Sequence, residues 1–183
     1  MMTEISLNIL DIAENSVKAG ATLTEILVSA SHADNRLTVT LRDNGCGMDE
    51  TQVANVVDPF YTTRTTRKVG LGIPFFKESA ETAGGSFALS STPGVGTTVT
   101  AIYQLNHIDR MPMGDLTATM HTLITMHEEI DFYFLYRVDD REAVVDTREF
   151  REILGDLSFK EPEISNYIKE YLKENIASVG SVL

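Results

Sequence analysis

Four polar side chains near the start of the chain have a spacing that could do chemistry. Asn8, Asp11, Asn15 and Lys18 follow one another at intervals of 3, 4 and 3 residues, which on a helix places them in one stripe. Two amides, a carboxylate and an ammonium would then share one side of the helix. The plainer reading is the solvated face of an amphipathic helix. A second group lies in "LRDNGCGMDE", residues 41–50. There Asp43 ends an apolar run and Gly45 and Gly47 let the backbone approach a ligand closely. An ordinary Asn-Gly or Asp-Gly turn uses the same residues. In "KVGLGI", Gly70, Leu71 and Gly72 precede a helix, where backbone N–H groups can close around an anion. A lone Gly-x-Gly also arises from bends and packing. "PGVGTT", with Thr97, reads equally well as a hairpin turn.

These residues need elements to position them. Residues 4–19 read as a helix, with Thr3 as its cap and Gly20 at its left-handed end. Ile5, Ile9, Ile12, Leu7, Leu10 and Val17 make both flanks of the polar stripe apolar, so the stripe is expected to face a cleft rather than bulk water. "TEILVSAS" and "RLTVTLRD" are strand-like runs joined by "HADN", which puts Asp43 at a strand end. A short helix capped by Asp49 follows, then a loop, "DPFYTTRTTRKVG", then a helix with Pro74 in its first turn and Gly84-Gly85 at its end. "SFALSST" and "TTVTAIYQL" form a second hairpin. The pattern predicts an α+β fold, a two-layer sandwich of helices on one face of a mixed sheet. After residue 106 the sequence predicts a helix, a hairpin turning at Asp139-Asp140 and two further helices, which 107–183 would assemble as a small C-terminal α/β appendage to a 1–106 domain.

Composition bounds the function. With 43% hydrophobic residues among 183 the chain is an ordinary globular one. No apolar run reaches transmembrane length, no signal-peptide pattern opens the sequence, and Cys46 is the single cysteine, so a cytoplasmic protein without membrane association is expected. The formal charge of −12 argues against a nucleic-acid partner. Residues 107–183 hold 8 basic and 16 acidic side chains, which makes the tail a poor nucleic-acid arm.

Taken in order, four boxes resemble the nucleotide-binding domain shared by DNA gyrase, MutL mismatch-repair proteins, sensor histidine kinases and anti-sigma-factor kinases, the GHKL or Bergerat fold. "DIAENSVKAGAT" is similar to the family's asparagine box, "DNGCGM" to its first glycine box, "DPFYTTR" to the histidine-kinase F box, and "VGLGI" with "GGSFALSSTPGVGTTV" to the second glycine box and its sequel. The resemblance covers about residues 4–105. It implies that ATP and Mg²⁺ are the cofactors. It further implies that Asp43 accepts from the adenine amino group, that Thr97 supports it, and that Gly45 and Gly47 let base and ribose lie against the backbone. Asn15 would ligate Mg²⁺, Lys18 reach a phosphate, Gly70, Leu71 and Gly72 offer amides to the phosphates, and Arg64 cover the γ-phosphate from a lid.

Two departures bear on turnover. Relatives that hydrolyse ATP often carry Glu as general base four residues before the asparagine; here Asp11 stands there, shorter by one methylene, and Glu14, next to Asn15 in sequence, is about 100° from it round the helix. Lys68 replaces the usual first glycine of the second glycine box. The sequence opens at the asparagine box, without the helix hairpin and phosphoacceptor histidine of a sensor kinase, so the expectation is a kinase acting in trans on a separate partner protein, with a homodimer left open. A nucleotide-gated binding protein with little catalysis is the alternative, and a MutL-like ATPase clamp the third. His121 and His127 read as surface or packing histidines, although "HEE" after position 126 is faintly similar to a phosphoacceptor box, and His32 and His107 show no metal-ligand spacing.

Overall fold

Alternation sets the layers. In β1 (Leu23–Ser31) Thr24, Ile26, Val28 and Ala30 are buried and their neighbours are not, and β2 (Arg36–Asp43) repeats this with Leu37, Val39 and Leu41. Period-2 burial is the mark of a sheet with one covered face. The computed structural model describes residues 2–60 and 71–182. Around these two strands it arranges α1 (Ile5–Lys18), α2 (Glu50–Val56), α3 (Gly72–Thr82), β3 (Ser86–Thr92), β4 (Gly96–Gln104), α4 (Leu116–Met126), β5 (Asp131–Val138), β6 (Arg141–Asp146), α5 (Thr147–Leu154) and α6 (Pro162–Val179).

The strand order is β3-β4-β2-β1-β5-β6. Neighbours run antiparallel except β1 and β5, which are parallel from Leu23 opposite Asp131 to Ala30 opposite Val138. The sheet is therefore mixed, and the architecture is the expected α+β sandwich. The segment after residue 106 continues this same sheet. Phe132, Phe134 and Tyr136 share one buried cluster with Ile9, Ile26, Val28 and Phe76, and Met120 and Leu123 of α4 join it. On the opposite face Thr100, Thr40, Leu27, Leu135 and Val144 line up in one cross-strand row, and none of them is fully buried.

Thr3 does not cap α1. The cap position is Glu4, and its side chain makes no capping bond to a helix amide. The first-turn amides go elsewhere: Ile5 N donates to Pro112 O at 3.0 Å and Ser6 N to Met113 O at 2.8 Å. A distant stretch of chain thus satisfies donors that a local side chain usually takes. Gly20 closes α1 with φ of 73°. Asp49 caps α2 as expected, in a reciprocal box with Gln52.

Candidate functional site

Asp43 is the last residue of β2, directly opposite Thr97 of β4. Its carboxylate is held from two sides. Ser16 Oγ on α1 donates to Oδ2 at 2.8 Å, and Gly45 N donates to Oδ1 at 2.8 Å. The strand end is therefore a genuine Asx-type turn, and that turn fixes the carboxylate instead of competing with a binding role. Two ionised oxygens offer about four acceptor positions, so two donors leave room for an incoming N–H.

Thr97 is fixed in turn. Its hydroxyl lies 2.8 Å from Ser91 Oγ, which accepts from Met48 N at 2.8 Å. Gly47 is obligatory for this arrangement. Its φ is 69°, and a Cβ there would lie 2.0 Å from Thr92 O. Gly45 packs under Ala19, and Cys46 N donates to Ala19 O at 2.9 Å. Asn44 faces the other way: its Oδ1 accepts from Thr22 N and Leu23 N at 2.8 and 3.0 Å, pinning the turn to the start of β1.

These groups border a cavity of about 250 Å³. Ile12, Leu41, Val56, Ile73 and Val99 make its apolar walls, and Asn15, Ser16, Asp43 and Thr97 supply polar atoms. An apolar slot with a few converging polar groups suits a flat heterocycle held by its edge. The donor geometry and the glycine approach both fit a purine whose amino group meets Asp43.

Asp11 lies one turn before Asn15 on the α3 side. A Cβ on Gly72 would come within 2.0 Å of Asp11 Oδ2, so only glycine lets the carboxylate rest against the start of α3. Leu71 takes the cap position of α3 and its side chain makes no capping bond, which leaves first-turn amides for an anion. Lys18 is exposed in the last turn of α1, beside the cavity rather than in its lining, where it also complements the helix dipole. Arg64, Lys68 and Gly70 lie outside the described residues. Among the described residues no three His, Cys, Asp or Glu side chains could hold a metal ion by themselves. Asn15, whose amide oxygen is a hard donor of the kind Mg²⁺ takes, borders the cavity.

Other polar groups are otherwise engaged. His127 Nε2 is 2.7 Å from Glu14 Oε1, which draws Glu14 toward α4. His121 Nε2 sits 2.9 Å from Ser165 Oγ.

Against known proteins, residues 3–107 match the family model described as histidine kinase-, DNA gyrase B-, and HSP90-like ATPase. The chain belongs to this family. It carries the ATP-binding domain of this histidine-kinase-like ATPase group. It is similar to the signal transduction histidine-protein kinase AtoS of Escherichia coli, at 30% identity over 118 residues, 64% of this chain and 18% of that protein. It is also 30% identical over 94 residues to the sensor histidine kinase YvrG of Bacillus subtilis, 49% of this chain and 16% of that one. The chain thus spans less than a fifth of these relatives' length. The Aquifex aeolicus MutL ATPase domain complexed with ADP shares the fold, with a TM-score of 0.51 at 14% identity, over 84% of this chain and 70% of that one. Among the described residues no helix is long and apolar enough to cross a membrane.

Sequence reasoning missed Ser16 and Ser91, the two hydroxyls that set Asp43 and Thr97. Ser16 had a weak signal: with Ser6 it is one of two hydroxyls among the buried positions of α1. The apolar walls carried none, since Ile12, Ile73 and Val99 are indistinguishable in sequence from other core residues.

Proposed function

We propose that this member of the histidine-kinase-like ATPase family is a Mg²⁺-dependent protein kinase that passes the γ-phosphoryl group of ATP to a separate partner protein. The observation that carries the reading is the Asp43 carboxylate, oriented by Ser16 and Gly45 at the edge of an apolar slot. Asp43 and Thr97 would bind the adenine edge, and Gly47 would admit the base and ribose. Asn15 would hold Mg²⁺, which neutralises developing phosphate charge when bound. Lys18, the α3 amides and Arg64 would take the phosphates. Asp11 would orient the acceptor group and receive its proton as the acceptor atom bonds to the γ-phosphorus, while the bond to the β-phosphate oxygen breaks and ADP leaves. The acidic surface suits a protein partner better than nucleic acid.

A second reading rests on Asp11 itself. Its short side chain lies back against Gly72, which favours positioning water or an acceptor over deprotonating it, and so a nucleotide-gated binding protein with slow or no turnover. Titrating ATP and ADP calorimetrically, with and without Mg²⁺, and then following γ-phosphate release on the same sample separates the two. Magnesium-dependent binding with turnover supports the kinase, and binding without turnover supports the switch. Absence of nucleotide binding overturns both.

A further inference from the structure

Asn8, the first residue of the polar stripe, takes no part in the nucleotide site. It is fully buried, and among the described residues neither its amide oxygen nor its amide nitrogen has a hydrogen-bond partner. Leaving both ends of a buried carboxamide unpaired is costly, and native chains rarely do so without a use for it. Asn8 forms part of the wall of a second cavity of about 320 Å³ between α1 and α3. Met2, Phe75 and Met111 give this cavity an apolar body, and the carboxylates of Glu78 and Asp109 lie at its border. Both acidic residues are exposed, and Glu78 has no ion pair among the described residues.

We propose that this cavity is a second ligand site, for a small amphipathic cation carrying a carboxamide. The chemistry follows from the lining. A buried amide with a free donor and a free acceptor side by side is matched by another amide edge, which answers both at once. A ring or branched alkyl body fills the space between Phe75 and the methionines. An ammonium sits at the border against Glu78 and Asp109. Asn8 is shielded in the ligand-free chain, so entry requires a side chain to yield, and methionine, unbranched and adaptable, is suited to that. The site lies on the same two helices as the contact of Asp11 with Gly72, three residues earlier on α3 and three later on α1.

The probe is L-phenylalaninamide, with phenethylamine, which lacks the carboxamide, as its control. Both are titrated into the full chain while methionine methyl signals are followed by NMR. Saturable shifts at Met2 and Met111, with phenylalaninamide bound about tenfold more tightly than phenethylamine, are expected if two hydrogen bonds to Asn8 are made. Asn8→Leu, branched at the same carbon and free of the unpaired atoms, should fold and abolish the preference. Glu78→Lys, on an exposed helix position, should weaken both amines. Equal affinity for the two amines, a preference that survives Asn8→Leu, or no saturable shift because trapped water satisfies Asn8 would each overturn the proposal. ATP binding to Asn8→Leu should match wild type, so the test is independent of the nucleotide site.

Discussion

Removing the Asp43 carboxylate takes away the one acceptor that Ser16 and Gly45 together aim at the slot. Asp43→Ala should weaken ATP binding by about a hundredfold, the scale of a charge-assisted hydrogen bond lost inside a pocket, as isothermal titration would read. Ser16→Ala leaves the carboxylate in place but frees it to turn, and should cost about tenfold. An unchanged affinity in Asp43→Ala would remove the adenine assignment. Cys46 is exposed and borders the same slot, so bound nucleotide should slow its alkylation by maleimide, read by mass spectrometry. At this scale the sequence was legible where chemistry imposes a residue type. Asp43 ends β2 and Gly47 takes a φ of 69° in the turn that follows, as a strand running into Asp-Asn-Gly-x-Gly leads one to expect, and Asn15 borders the same slot. Ser16 and Ser91 were not legible, since their roles exist only once α1, β2 and β3 have come together.

The helices show what local pattern can and cannot specify. Asp146 caps α5 and pairs with Arg148, whose Nη2 lies 2.7 Å from Oδ2. The Arg148 side chain and its amide hold the carboxyl of Asp146 below its ordinary value, against the opposing effect of burial. A lowered folded-state pKa means that the contribution is complete above the ordinary aspartate value of about 4 and is lost as pH falls through the lowered value. Asp146→Ala should therefore destabilise the fold by about 1 kcal/mol at neutral pH. The gap between the two urea midpoints should close below about pH 4. A gap that widened on acidification would reverse the sign and remove this role. The caps of α2, α4 and α5 are all short-range, Asp49, Asp115 and Asp146 each bonding an amide two or three residues on, and such caps are readable from sequence. The start of α1 is not. Its amides reach Pro112 and Met113, so a local rule named Thr3 where a contact over a hundred residues away decides.

On the scale of the whole molecule, the joining of β5 to β1 is the feature that no local pattern announced. The strand Arg36–Asp43 was bounded correctly from β-branched alternation alone, yet the parallel pairing of β1 with Asp131–Val138 depends on which strand edge remains free after the rest has packed. Cutting the chain after residue 106 would uncover that edge and the side chains of Ile26 and Val28 that pack with Phe132 and Phe134. The fragment should be insoluble or lack a cooperative thermal transition, measured by calorimetry against the full chain. A fragment that melts cooperatively and binds ATP would instead make 1–106 a self-sufficient domain. The same pairing sets an order of events on the ribosome. The hairpin of β1 and β2 emerges early, while the strand that completes its neighbour is about a hundred residues further on, a closure whose entropic cost rises only slowly with length but which cannot begin until synthesis is nearly finished. Through that interval a nascent chain presents an open strand edge to whatever is nearby, and translation speed between residues 44 and 138 becomes a determinant of yield.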